Sequence, residues 1–135
     1  MIKGMNHITF AVSHVERAFH FYSDILGLKP IAKWDKGAYL IADGFWIALN
    51  LDTKVEKAKR PDYSHIAFSC TGSDFEQIKE KLLGYGCPEW SENYSEGESF
   101  YFKDPDGHKL EVHVGDLESR FKEMKEKHWA EFEFY

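Results

Sequence analysis

The stretch NHITFAVSHVERAFHFYSDILG at residues 6–27 is echoed by SHIAFSCTGSDFEQIKEKLLGYG at residues 64–86. Each copy opens with His-Ile-x-Phe, alternating apolar and polar with the period of a strand. Each continues with a Ser-x-x-Glu start, Ser13 with Glu16 and Ser73 with Glu76, which predicts a capping box and a helix. Val15, Phe19, Tyr22 and Leu26 then form one apolar helical stripe, and Phe75, Ile78 and Leu82 the other. Glycine ends each helix, at Gly27 in the first copy and at Gly84 or Gly86 in the second.

Three strand-like runs follow each helix. In the first copy they are 29–34, 37–42 and 45–51, with Asp43-Gly44 as a hairpin turn. In the second they are weak around 88–94 and clear at 99–103 and 108–114. The reading is an α+β fold of two βαβββ modules, about 4–52 and 63–115, joined by a Lys-, Asp- and Pro-rich link at 52–62. A last amphipathic helix at 116–127 carries Leu117, Phe121 and Met124.

The chain has 135 residues, enough for one domain with a core or two small modules sharing one. Its net charge of −6 argues against a nucleic-acid partner, because phosphate backbones need a basic face. An anionic substrate would have to be drawn by a local site rather than by the overall field. No run approaches the roughly 18 apolar residues of a membrane span, and the N-terminus lacks the apolar segment of a signal peptide, so a cytoplasmic protein is expected. Cys70 and Cys87 form no CxxC pattern and are expected as free thiols.

A histidine at the same place in each module, His7 and His65, brings two imidazoles toward a shared cleft. In the second-module strand HKLEVHVG, Leu110, Val112 and Val114 share one face, so Glu111 and His113 share the other. Two imidazoles and the Glu111 carboxylate make a three-ligand metal set with coordination positions left open; His113 is the rival to Glu111. The matching first-module strand, Phe45 to Asn50, carries no Glu, His, Asp or Cys.

The segments GMNHITFAVS, YSHIAFS and SEGESFYFKDPDGHKLEVHVG, with the closing FEFY, resemble the fosfomycin-resistance thiol transferases of the vicinal-oxygen-chelate superfamily, the FosA-type branch in particular. The resemblance implies a homodimer whose modules form cup-shaped mixed sheets around metal sites, usually Mn²⁺ with Mg²⁺ or Zn²⁺ as alternatives, with His7, His65 and Glu111 as ligands. It implies fosfomycin as substrate and a small thiol, glutathione in the typical member, as the nucleophile that opens its epoxide.

Further roles carried by the resemblance fall on residues of matching position. Thr9, two residues after His7 and on its side of the strand, assists the reaction beside the substrate, and Tyr63 orients the thiol. Ser95, Ser99, Tyr101 and Arg120 contact the phosphonate, with Trp46 against the substrate. Asn93, Ser95, Glu96, Gly97 and Ser99 form a K⁺-binding loop, whose oxygen donors suit a hard cation. Trp34 and Tyr39 line the thiol's channel, and His113 supports Glu111. Two positions depart from the family: Ser91 stands where the typical member has a lysine, and Tyr94 where it has an arginine. Bacillithiol or cysteine as the thiol, hydrolysis aided by Asp43, and non-catalytic binding are the competing readings.

Overall fold

The computed structural model describes residues 1–57, 60–127 and 131–135, so part of the expected 52–62 link, residues 58 and 59, lies outside the description. The first module runs β1 (His7–Val12), α1 (Val15–His20), β2 (Lys29–Trp34), β3 (Gly37–Ala42) and β4 (Phe45–Leu51). The second runs β5 (Ile66–Ser69), α2 (Gly72–Tyr85), β6 (Glu89–Ser91), β7 (Ser99–Lys103) and β8 (Lys109–His113), and α3 (Leu117–Lys127) follows. The two sheets are topological copies, ordered β1-β4-β3-β2 and β5-β8-β7-β6. In each the first strand pairs parallel with the last and the remaining pairs are antiparallel. Asp43 and Gly44 have φ of 44° and 86°, the left-handed pair that a two-residue hairpin turn demands between Ala42 and Phe45.

Register assigns each side chain to a face. Ile8, Phe10 and Val12 of β1 and Ile47 and Leu49 of β4 point inward. Phe100, Phe102, Leu110 and Val112 do so from the second sheet, and all of them join α1 and α2 in one apolar core. Phe21 and Tyr22 are fully buried there. They reach it because the chain after α1 widens by one residue, with Leu26 N–H donating to Phe21 O at 3.0 Å, five residues back. The two modules therefore stand back to back, and the outer faces of their sheets turn away from each other.

Both expected capping boxes are absent. His14, not Ser13, is the N-cap of α1 and makes no side-chain cap. The Ser13 hydroxyl instead donates to Asp106 at 2.5 Å, a charged acceptor that outcompetes a backbone cap. Thr71 precedes α2, so Ser73 already lies in its first turn, and the Thr71 hydroxyl donates to the Asp74 carboxylate rather than to backbone N–H. Gly86, with φ 91°, closes α2 by donating its N–H to Leu82 O and Leu83 O. Among the described residues the apolar stripe of α3 is not buried: Leu117 is 67% exposed, and the aromatic ring that Phe121 meets is that of Phe134, 5.7 Å away.

Both cysteines are free. Burial, with the Asp104 charge adding to it, pushes the Cys87 thiol up to about 11. Iodoacetamide at pH 7.5 should therefore alkylate Cys87 in the folded protein on the order of a hundredfold more slowly than in the unfolded chain. Intact mass against time checks this, with the rate climbing until pH reaches about 11.

Candidate metal centre and anion site

His65 precedes β5 and Glu111 sits in β8, the strand that pairs with it, and this topology brings the two together. Nε2 of His65 lies 3.0 Å from Oε1 of Glu111. Nδ1 of His65 lies 2.8 Å from the carbonyl oxygen of Tyr63. A carbonyl only accepts, so Nδ1–H is the donor to it, and in the neutral imidazole a metal ligand must be, Nε2 keeps its lone pair. That lone pair faces a carboxylate oxygen, two electron-rich atoms at hydrogen-bond distance. A divalent cation between them resolves the clash, and the backbone bond to Nδ1 is the usual way a ligating imidazole is held in its tautomer.

Glu111 is only 5% exposed although it lies on the face away from the core. Ser99, opposite His113 across the β7–β8 pair, donates its hydroxyl to Oε2 of Glu111 at 2.6 Å. His113, two residues after Glu111, meets the Ser99 oxygen through Nδ1 at 2.5 Å and Oε1 of Glu96 through Nε2 at 3.2 Å. His113 thus reaches Glu111 through the Ser99 hydroxyl. Tyr101, paired in register with Glu111, is 5% exposed, and burial together with the Glu111 charge pushes its phenol up against the lowering effect of Ser95. It stays a hydrogen-bond donor at neutral pH.

A wall of rings closes one side. His65 stands 5.0 Å from Tyr63, 5.2 Å from Trp90 and 5.8 Å from Tyr101, ring centre to ring centre. Trp90 is fixed by donating its indole N–H to Leu110 O at 3.0 Å, and Lys109 lies over its face at 5.2 Å. Lys109 also donates to the Asp62 carbonyl, steadying the residues that present Tyr63 to His65.

The loop before β7 is committed within itself and to α3. The Asn93 amide donates to Gly97 O at 2.9 Å, and Ser95 donates to Oδ1 of Asn93 from its N–H and hydroxyl. Glu96 accepts from Nε of Arg120 at 2.7 Å. Burial pushes the Glu96 carboxyl up, but the Arg120 hydrogen bond and the charges of His113 and Arg120 outweigh it and hold the group below the usual carboxylate range. At the departed positions, Ser91 donates to Glu92 O and the Tyr94 hydroxyl to the Glu92 carboxylate, so neither supplies a cation.

His7 is not with its partners. It lies in the other sheet, opposite Trp46 in register, stacks on that ring at 4.2 Å, and bonds Oδ1 of Asn6 through Nδ1 at 2.6 Å. Its Nε2 is thus free, like that of His65. Among the described residues no three His, Cys, Asp or Glu side chains gather in a geometry able to hold a metal ion. Within the chain the packed core stands between the two sheets and keeps His7 and His65 on separate faces. Thr9 follows His7 on the same open face, opposite Ala48. A row of rings extends from it: Trp46 to Tyr39 at 5.1 Å, Tyr39 to Trp34 at 4.9 Å. The Trp46 indole nitrogen is buried with no hydrogen-bond partner.

Sequence reasoning missed three components: the contact of Glu96 with Arg120 and Ser119, the packing of Trp90 on His65, and the anchoring by Lys109. The alternation that put Glu111 and His113 on one face also puts Lys109 there. The Glu96 contact joins residues 24 apart across a loop and has no periodic signal.

A family model for the glyoxalase/bleomycin resistance protein/dioxygenase superfamily matches residues 4–112. The chain is 42% identical over 132 residues to the glutathione transferase FosA of Serratia marcescens, an alignment covering 96% of this chain and 94% of that one. It is 39% identical to the metallothiol transferase FosB of Shouchella clausii, covering 89% and 86%. Among solved structures it is similar to the fosfomycin resistance protein FosX of Listeria monocytogenes complexed with Mn(II) and sulfate ion, at 30% identity and a TM-score of 0.77, covering 91% and 98%. FosX of Mesorhizobium loti gives 29% and 0.76, covering 90% and 99%. By its sequence and its two-sheet fold, the chain belongs to the fosfomycin-resistance proteins of the glyoxalase/bleomycin resistance protein/dioxygenase superfamily, a family of fosfomycin-inactivating enzymes.

Proposed function

We propose that this protein is a cytoplasmic, metal-dependent transferase that adds a small thiol, glutathione foremost, to the epoxide carbon of fosfomycin. It would work as a homodimer in which His65 and Glu111 of one copy meet His7 of a second copy, and Mn²⁺ is the favoured metal. The observation that carries this reading is the 3.0 Å approach of the His65 lone pair to the Glu111 carboxylate. That pair has an open side, and its missing histidine stands on an exposed face of the same fold.

A cation bound there would supply Lewis acidity, drawing charge from the epoxide oxygen as the ring opens. The chain's own residues do the rest. Arg120 offers N–H and Tyr101 O–H donors to the phosphonate oxygens, and Ser99 and Ser95, whose hydroxyls here donate to Glu111 and Asn93, would turn to join them. Thr9, on the face of His7, is placed to donate to the oxygen that gains charge. Tyr63, 64% exposed beside His65, and the Trp34–Tyr39 pair suit the thiol's approach. Carbon–sulfur bond formation from the side opposite the breaking carbon–oxygen bond leaves an alkoxide that takes a proton to give the alcohol.

K⁺ is the proposed activator, held by oxygens of Asn93, Ser95, Gly97 and Ser99. Glu96 completes that set, its oxygens also serving Arg120, His113 and Ser119. The likeness to FosX favours a second reading, hydrolysis. Asp43, the carboxylate that reading would use, lines the cleft between the modules with Ile8, Ile47 and Phe68, away from the face of His7 and Thr9.

The test is fosfomycin with the Mn²⁺-loaded protein, in K⁺ or Na⁺, supplied with glutathione, cysteine, bacillithiol or water alone. A thioether of glutathione by mass spectrometry, formed faster in K⁺, is expected. Ring opening by water alone, giving a diol, would favour hydrolysis, and no ring opening in any arm would refute the enzyme.

A further inference from the structure

Glu96 lies in the loop between β6 and β7, yet its side chain is only 10% exposed, which is unusual for a loop carboxylate. Three side chains from two other elements converge on it. Oε1 accepts from Arg120 Nε at 2.7 Å and meets His113 Nε2 at 3.2 Å, and Oε2 accepts from the Ser119 hydroxyl at 3.3 Å. Thus α3, β8 and the loop are pinned at one point.

The seat is built for close approach. A Cβ on Gly97 would lie 2.1 Å from Val114 O, and one on Gly115 would lie 2.8 Å from Nε2 of His113 and 2.9 Å from Oε2 of Glu96. The bond from Val114 N–H to Glu98 O at 2.9 Å closes the clasp beside them. A side chain at Gly115 would displace Glu96 and His113 themselves, and one at Gly97 would collide with the Val114 backbone beside them.

The contact with Arg120 uses Nε only. Among the described residues both Nη groups have no protein acceptor, and the side chain is 36% exposed. A carboxylate that served only to neutralise an arginine would take two N–H groups side by side. Here one edge of the guanidinium is anchored and the outer edge is left open. A fixed arginine fork of this kind suits the oxygens of a phosphate or phosphonate.

We infer that Glu96 is a positioning residue for anion recognition: it fixes Arg120 through Nε so that the two Nη groups face the anion. Through His113, Glu96 also joins this fork to the Ser99–Glu111 hydrogen bond, so that anion site and metal site are held in one frame. The phosphonate as the physiological anion rests on the fosfomycin reading; the positioning does not.

The test is calorimetric titration of methylphosphonate into the full-length protein. Glu96→Gln keeps the size and loses the charge, and should bind about tenfold more weakly, while its thermal midpoint stays close to that of the wild type. Arg120→Ala should lose at least as much, and adding Glu96→Gln to it should cost nothing further, because the second residue acts only through the first. In turnover Glu96→Gln should raise KM for fosfomycin with kcat within about twofold, the pattern of lost binding. Should Glu96→Gln not fold, Glu96→Asp, one methylene shorter, is expected to show the same loss. Equal affinities for wild type and variant, additive losses in the double variant, or no saturable methylphosphonate binding by the wild type would each overturn the inference. A protein that binds methylphosphonate through this pair but leaves fosfomycin intact refutes the proposed function alone.

Discussion

Glu111→Gln should remove metal-dependent activity while leaving the metal-free protein at least as stable as the wild type. Losing a group that merely hydrogen-bonds a metal ligand costs 10–100-fold in affinity, so losing the carboxylate ligand should weaken Mn²⁺ by more than about a hundredfold. Stability runs the other way. Without metal, Glu111 is a side chain only 5% exposed, with one oxygen 3.0 Å from Nε2 of His65. A glutamine amide turned toward Nε2 donates to it, and the amide oxygen still accepts from Ser99. The site is thus strained in favour of function, and removing the charge relieves it. Thermal melts with and without Mn²⁺ separate the effects. The wild type should gain stability as Mn²⁺ rises, by mass action, and the variant should not. A variant whose melting point rises with Mn²⁺ as the wild type's does would end the ligand assignment.

The fold was legible because it is repeated. His-Ile-x-Phe at residues 7–10 and 65–68, followed by an apolar helical stripe and three strand runs, exposed the duplication. The short β6 was weak in sequence and is three residues long in the structure. The caps failed for a different reason. Ser13 has the right spacing from Glu16, but Asp106, 93 residues away, offers it a charged acceptor, and local rules see nothing at that distance. Of the site, Glu111 and His113 followed from strand parity and His65 from its equivalence with His7 in the repeat. The separation of His7 did not, because alternation says which face a residue takes and not which way two sheets turn. That was decided by Phe21, Tyr22 and Phe102, which fill the space between the modules.

The turn DPDGH at residues 104–108 looked like punctuation, and it is the tie between the modules. Asp104, 4% exposed, accepts the Tyr22 hydroxyl of the first module at 2.6 Å, and its other oxygen accepts the N–H groups of Asp106 and His108 at 2.9 and 2.8 Å. Asp106 then takes the Ser13 hydroxyl and Arg17, and His108 donates to Ala11 O at 2.7 Å. Asp104→Ala would leave a buried phenol and two N–H groups without an acceptor, at a cost of about 3–5 kcal/mol. For a chain of this size that is a drop of roughly 10–15 °C in Tm. Asp104→Asn should cost only about 1 kcal/mol, since its oxygen can accept both N–H groups and its amide can donate to the phenol. The pair also has a pH signature. Burial raises the Asp104 carboxyl above its ordinary range, despite the lowering effect of His108 and Tyr22. A carboxyl raised on folding contributes stability that is fully present below its unfolded value, about pH 4, and is lost as pH rises through the folded value. An amide in its place cannot titrate, so the deficit of Asp104→Asn relative to wild type should be largest near pH 4 and shrink toward neutrality. Melts of both proteins across that range check the sign, and an Asp104→Ala protein that melts with the wild type would show that the turn ties nothing.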